Sequence, residues 1–127
     1  MTPPPAPADG DALRRRLLDA IHHQHHRPEL VATDPLAFAR GQEDPADREV
    51  AALIAASFAF GNVKAMKAAL ELLLRELGPS PARTLAEREP RDWSRRLGDF
   101  SYRWVRAADA RLYLAWIGVA LREHGSL

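Results

Sequence analysis

Cysteine is missing from all 127 residues, and with it go disulfides, thiol nucleophiles, cysteine-ligated zinc and iron–sulfur clusters. Lysine is almost missing: of 18 basic residues, all but Lys64 and Lys67 are arginines. Apolar runs stop at about ten residues, half of the roughly twenty that a bilayer-crossing helix requires, so no membrane association is expected. The opening MTPPPAPADG has no basic segment leading into an apolar one, so no secretory signal is expected and a cytoplasmic protein is the simplest reading. Also lacking are the G-x-S-x-G elbow of a serine hydrolase and the G-x-x-x-x-G-K-[ST] loop that holds nucleotide phosphates. Strand-like alternation between hairpin turns is absent, FSYRWV being the one ambiguous stretch, and no internal repeat is visible.

What is present fits one modest helical domain. A composition of 46% apolar and 28% charged residues is globular, and the length can bury a core of several helices. The net charge of +1 hides an asymmetry. Residues 1–50 carry six Arg against nine acids, whereas residues 51–127 carry twelve basic residues against eight acids, so the later part is the better match for a polyanion.

Residues 1–8, Pro- and Ala-rich, read as a disordered tail, and residues 9–127 as a single all-α, compact, bundle-like domain. Leu13, Leu17, Leu18 and Ile21 recur at helical spacing from an Asp9 or Asp11 cap to about His26, where Arg27-Pro28 ends the pattern. TDPLAFARG, with Thr33 or Asp34 as cap and Gly41 as stop, and EDPADREV, with Asp44 as cap, each place the cap before a first-turn proline. The second of these opens a helix over 45–60 lined by Val50, Leu53, Ile54 and Phe58, with alanines on the other faces, as expected of a central helix. A helix over 62–77 follows, with Val63, Met66, Leu70, Leu73, Leu74 and Leu77 on one stripe, and Gly78-Pro79 stops it. SPARTLAER is expected to form a short helix capped by Ser80, and EPRDWSRRL another. The last helix, over 107–124, is expected to turn Leu112, Tyr113, Trp116, Ile117, Ala120 and Leu121 inward.

Three constellations could carry chemistry. In HHQHH, His22 and His26 lie one helical turn apart and could chelate a divalent cation, but no distant ligand is nominated, so a solvated helix end is the reading adopted and no metal or other cofactor is expected. Asp44, Asp47 and Glu49 cluster, yet helix capping and the helix dipole account for each. RDWSRRLGDFSYRWVR interleaves five arginines with Trp93, Phe100, Tyr102 and Trp104, which suits nucleic acid and equally suits a core turn whose arginines snorkel or pair with Asp92 and Asp99. The core role is expected for the aromatics, with the arginines left open.

The stretch LIAASFAFGNVKAMKAAL is apolar until Gly61 and Asn62 interrupt it. Gly61 can take the positive φ that joins two helices, and Asn62 can cap the second with its side-chain oxygen. Free N–H groups beside Lys64, with Lys67 one turn on, would suit a phosphate. The competing reading is a tight helix–helix turn with two solvated lysines.

DREVAALIAASFAFGNVKAM, LGPSP, FSYRWVRAAD and LREHGSL, in this order and spacing, resemble an uncharacterised bacterial family catalogued as domain of unknown function two thousand four hundred, over roughly residues 30–127. Its members look like distant relatives of the helix-hairpin-helix DNA glycosylases of the endonuclease III type. That resemblance implies half of a glycosylase-like fold, in which LIAASFAFGN overlies a buried helix whose turn reaches into DNA. The DNA-inserting glutamine of those enzymes falls near Gly61, where this chain offers no such side chain. Their hairpin, its lysine and the essential aspartate fall beyond Leu127, so the chain is expected to be an N-terminal portion, inactive alone, with no catalytic residue. Nucleic-acid contact is expected at Gly61, Asn62, Lys64 and Lys67. The partner expected is DNA; the alternative is a non-catalytic helical module packing against a C-terminal half or a partner protein through the Val63–Leu77 stripe and the last helix.

Overall fold

Prolines and short polar caps set most of the helix starts, because both act within a turn of the boundary they define. In a computed structural model that describes residues 9–127, the helices are α1 Asp9–His25, α2 Leu36–Arg40, α3 Pro45–Ser57, α4 Val63–Leu77, α5 Pro81–Glu87 and α6 Ala107–His124. Short 3-10 turns occupy Pro28–Thr33 and Pro90–Trp93. FSYRWV resolves into a minimal antiparallel hairpin, β1 Ser101–Tyr102 and β2 Val105–Arg106, with Ser101 opposite Arg106 and Tyr102 opposite Val105. The class is mostly helical, as expected. The Pro/Ala tail over 1–8 lies outside the described residues.

The chain forms two compact units, one ending at Ala32 and one spanning Thr33–Leu127, and the helical domain expected over 9–127 runs through both. In the first, α1 stops before Arg27-Pro28, where proline disfavours helical geometry in the residue preceding it. Its row of Leu13, Leu17, Leu18 and Ile21 is more than half exposed.

In the second unit α2 packs on α3, α3 on α5 and α5 on α6. The core centres on Val50, Ile54, Leu70, Leu73, Leu77, Leu85, Trp93 and Leu114, all fully or almost fully buried. Burial of each such side chain contributes about 1.5–3 kcal/mol. Asp44 caps α3 as expected, its Oδ1 accepting from the backbone N–H of Ala46 at 2.9 Å and of Asp47 at 3.1 Å. Asn62 caps α4, accepting from Ala65 N–H at 3.2 Å.

Four expectations are corrected. The third helix ends at Ser57 rather than at residue 60, and Leu53 is exposed, so α3 is not buried all round. Ser80 makes no side-chain cap for α5; instead Asp47 of α3, largely buried, accepts from Ala82 N–H at 2.8 Å. EPRDWSRRL yields only the 3-10 turn, closed by Asp92 Oδ2 accepting from Glu89 N–H, after which Leu97 is buried at a φ of 66° that no helix allows. On α6 the inward face is Ala110, Leu114, Ala115, Ile117, Gly118 and Leu121, while Leu112 and Trp116 are 61% and 65% exposed. Small residues face inward because α5 comes very close: a β-carbon on Gly118 would lie 2.4 Å from the Leu85 carbonyl oxygen.

Candidate nucleic-acid interface

The joint between α3 and α4 is closed by contacts from the hairpin more than forty residues further on. Gly61 has φ +83°, and a β-carbon there would meet Arg103 Nε at 2.9 Å and the Tyr102 hydroxyl at 3.0 Å. Only glycine satisfies both the backbone angle and this close approach. The Tyr102 hydroxyl donates to the Phe60 carbonyl, tying β1 to the residue before the joint.

Above that tie two rings stack. Phe60 and Trp104 lie with centroids 4.7 Å apart and planes 9° from parallel. Phe60 also packs on Tyr102 at 5.1 Å, and Phe58 collects Phe60, Phe100, Tyr102 and Tyr113 at 6.1–6.4 Å. The core role expected of the aromatics holds for Trp93, Phe100 and Tyr102, all buried, and fails for Trp104, which is 71% exposed at the hairpin tip. Arg103, at φ 56°, occupies the first position of the two-residue turn, where a glycine is the common choice. The hairpin base is held by Arg106, whose guanidinium donates to Ser101 Oγ at 2.6 Å and whose backbone N–H donates to Asp109 Oδ2 at 2.8 Å.

Of the four expected contact residues, Gly61, Asn62 and Lys64 are exposed around the joint, and Lys67, one turn along α4, is half-buried. Lys64 and Arg103 form no ion pair among the described residues. A groove of about 390 Å³ runs from this joint between α4 and β1, lined by Ala65, Ala68, Leu72, Asp99, Ser101 and Tyr102. Sequence reasoning missed Phe60, Arg103 and Trp104 as neighbours of the joint. The interleaved aromatics were a signal for Trp104, but its pairing with Phe60 is a tertiary contact with no local trace.

The other constellations are built differently. Arg96 and Arg88 pair with Glu76, at 2.8 and 3.6 Å, rather than with Asp92 or Asp99. Arg88 also lies over the Trp93 ring, 4.9 Å from its centroid. Partial burial, followed by the neighbouring Arg96 charge, pulls the Arg88 guanidinium below its ordinary pKa, and Glu76 opposes that. The His22 and His26 rings stack 4.7 Å apart, and His23 Nδ1 lies 2.8 Å from the Asp19 carbonyl. Among the described residues no three His, Asp or Glu side chains gather into a metal-binding group. On α6, the exposed Leu112 and Trp116 line an apolar groove of about 260 Å³ with Pro90, Ala115 and Val119. No helix among the described residues is long and apolar enough to cross a membrane.

Comparison with known proteins finds one family: residues 34–127 match the model described as protein of unknown function, DUF2400. No curated protein and no solved structure matches the chain.

Proposed function

The chain belongs to the DUF2400 family, proteins of unknown function, and from that starting point we propose that it is a DNA-binding, DNA-glycosylase-like protein whose residues described above hold the strand. The observation that carries this reading is that Arg103, at the hairpin tip, lies against Gly61 of the exposed Gly61-Asn62 joint, from which α4 sets out with Lys64 in its first turn. Lys64, Lys67 and Arg103 are assigned to phosphate oxygens, and Gly61 is what lets Arg103 lie against the joint. Arginine and lysine at one corner, without a paired carboxylate on Lys64 or Arg103, suit a polyanion better than a neutral ligand. No catalytic role is assigned to any residue of the chain.

The reading is tested by measuring binding of a labelled duplex across a salt series. Affinity should fall steeply with salt, and Lys64→Glu combined with Lys67→Glu should lower the log–log slope by roughly 2, since each phosphate contact contributes about 0.9. Salt-insensitive binding, or a double variant that binds as the parent does, would remove the assignment.

A second reading, a helical interaction module, is favoured by one observation: the apolar groove at Leu112 and Trp116, two large side chains that α6 leaves outside the core. The Val63–Leu77 stripe does not support it, because Met66, Leu70, Leu73 and Leu77 are consumed by the core.

A further inference from the structure

We infer that the stacked Phe60 and Trp104 rings form a platform for an unpaired nucleobase, so that this corner takes single-stranded DNA in preference to intact duplex; the inference rests on the DNA-binding reading above. Trp104 is the most exposed large apolar side chain of the second unit, yet it is not loose. One indole face lies against Phe60 at near-parallel 9°, and Phe60 is itself backed by Tyr102 and Phe58. Tyr102 in turn is anchored by its hydroxyl on the Phe60 carbonyl. With 71% of the residue open to solvent, the second indole face is presented outward, pre-oriented. A flat, rigid, outward aromatic face loses little conformational freedom when a second flat ring covers it.

The surroundings choose the covering ring. Arg103 precedes Trp104 and lies against Gly61, and Lys64 stands in the first turn of α4 beyond it. Aromatic stacking beside cations that can follow a phosphate backbone is the combination by which proteins hold single strands without reading sequence. Neither Arg103 nor Lys64 is paired with a carboxylate among the described residues. Within a duplex both faces of a base are covered by its neighbours, so an indole face on a short hairpin tip can reach only a base that is unstacked. The preference for unpaired DNA follows.

The experiment uses the full chain carrying Trp116→Phe, which leaves Trp104 as the exposed tryptophan beside the buried Trp93. Oligothymidylate of about twelve nucleotides, within the usual site size of one single-strand module, and a blunt duplex of equal length are titrated at one low salt concentration. The expected results are quenching of the exposed tryptophan by the single strand and tighter binding of the single strand than of the duplex. Trp104→Ala should lose roughly tenfold or more in single-strand affinity, as removal of a stacking ring does, with duplex affinity within about twofold of the parent, and Trp104→Phe should recover part of the loss. Equal or tighter duplex binding overturns the inference, as does Trp104→Ala binding the single strand like the parent. If Lys64→Glu weakens both ligands while Trp104→Ala changes neither, the stacking platform fails and the strand-contact reading stands. If neither ligand binds the parent, both fail together.

Discussion

Asp47 and Ala82 are joined by a 2.8 Å hydrogen bond from the Ala82 backbone N–H to the Asp47 carboxylate, so a side chain in the first turn of α3 caps α5 across 35 positions. Asp47→Ala should therefore destabilise the protein by about 1–3 kcal/mol, since it strips a partner from a part-buried donor. Asp47→Asn, which keeps an acceptor oxygen, should cost less. Ser80→Ala, at the position the local pattern favours, should stay within about 0.5 kcal/mol of the parent. Urea unfolding followed by circular dichroism separates the three.

Gly118 faces the Leu85 carbonyl so closely that an added methyl would overlap it, at 2.4 Å. In an open helix, glycine to alanine gains up to about 1 kcal/mol from propensity. Here the sign should reverse: Gly118→Ala should lower stability by about 1–3 kcal/mol as α5 and α6 are forced apart. A thermal melt showing an unchanged or higher midpoint would contradict the close approach.

Ser57 Oγ donates to the Leu53 carbonyl at 2.8 Å, which leaves its oxygen to accept from the Tyr113 hydroxyl at 2.7 Å. Burial pushes the Tyr113 phenol above its ordinary value of 10, and the weaker opposing influence is the bond to Ser57. A phenol raised on folding favours the native state wherever it is protonated, so its contribution is complete below pH about 10 and is lost as pH rises through the higher native value. Tyr113→Phe should cost about 0.5–1.5 kcal/mol at neutral pH. The gap between parent and variant should close above pH about 10, read from urea midpoints between roughly pH 8 and 11. A gap that stays constant across that range would argue against ionisation of a half-buried Tyr113.

Leu112 and Trp116 supply the apolar groove on α6 and contribute little to the core. Leu112→Asp combined with Trp116→Asp should abolish binding of an apolar dye and any self-association seen by sedimentation, while stability moves by no more than about 0.5 kcal/mol per position. A double variant that unfolds would instead place these residues among the supports of the fold.

Whatever was written in a few neighbouring residues could be read before folding. The Asp44-Pro45 start of α3, the Asn62 cap, the Gly78-Pro79 stop and the whole extent of α6 are local matters, and their positions agree with the pattern. The quoted family stretches likewise anticipated the family found over residues 34–127. Facing was harder. Size and hydrophobicity point Trp116 inward, but the distance between α5 and α6 is decided by Gly118 and Leu85, which meet only in three dimensions. The cap from Asp47, the pairing of Arg96 with Glu76 and the stacking of Trp104 on Phe60 are invisible for the same reason. At the joint, the positive φ of Gly61 and the Asn62 cap agree with the local pattern, whereas Arg103 reaches Gly61 only once the hairpin has closed.

The Gly61–Arg103 contact also constrains how this family can drift. Any side chain at position 61 needs the guanidinium at position 103 and the Tyr102 hydroxyl to withdraw, and it still meets the positive φ of 83° that a shorter residue at 103 would not relieve. Position 61 should therefore stay glycine in homologous sequences whatever residue stands at 103, while 103 is free to vary among side chains that leave the turn intact.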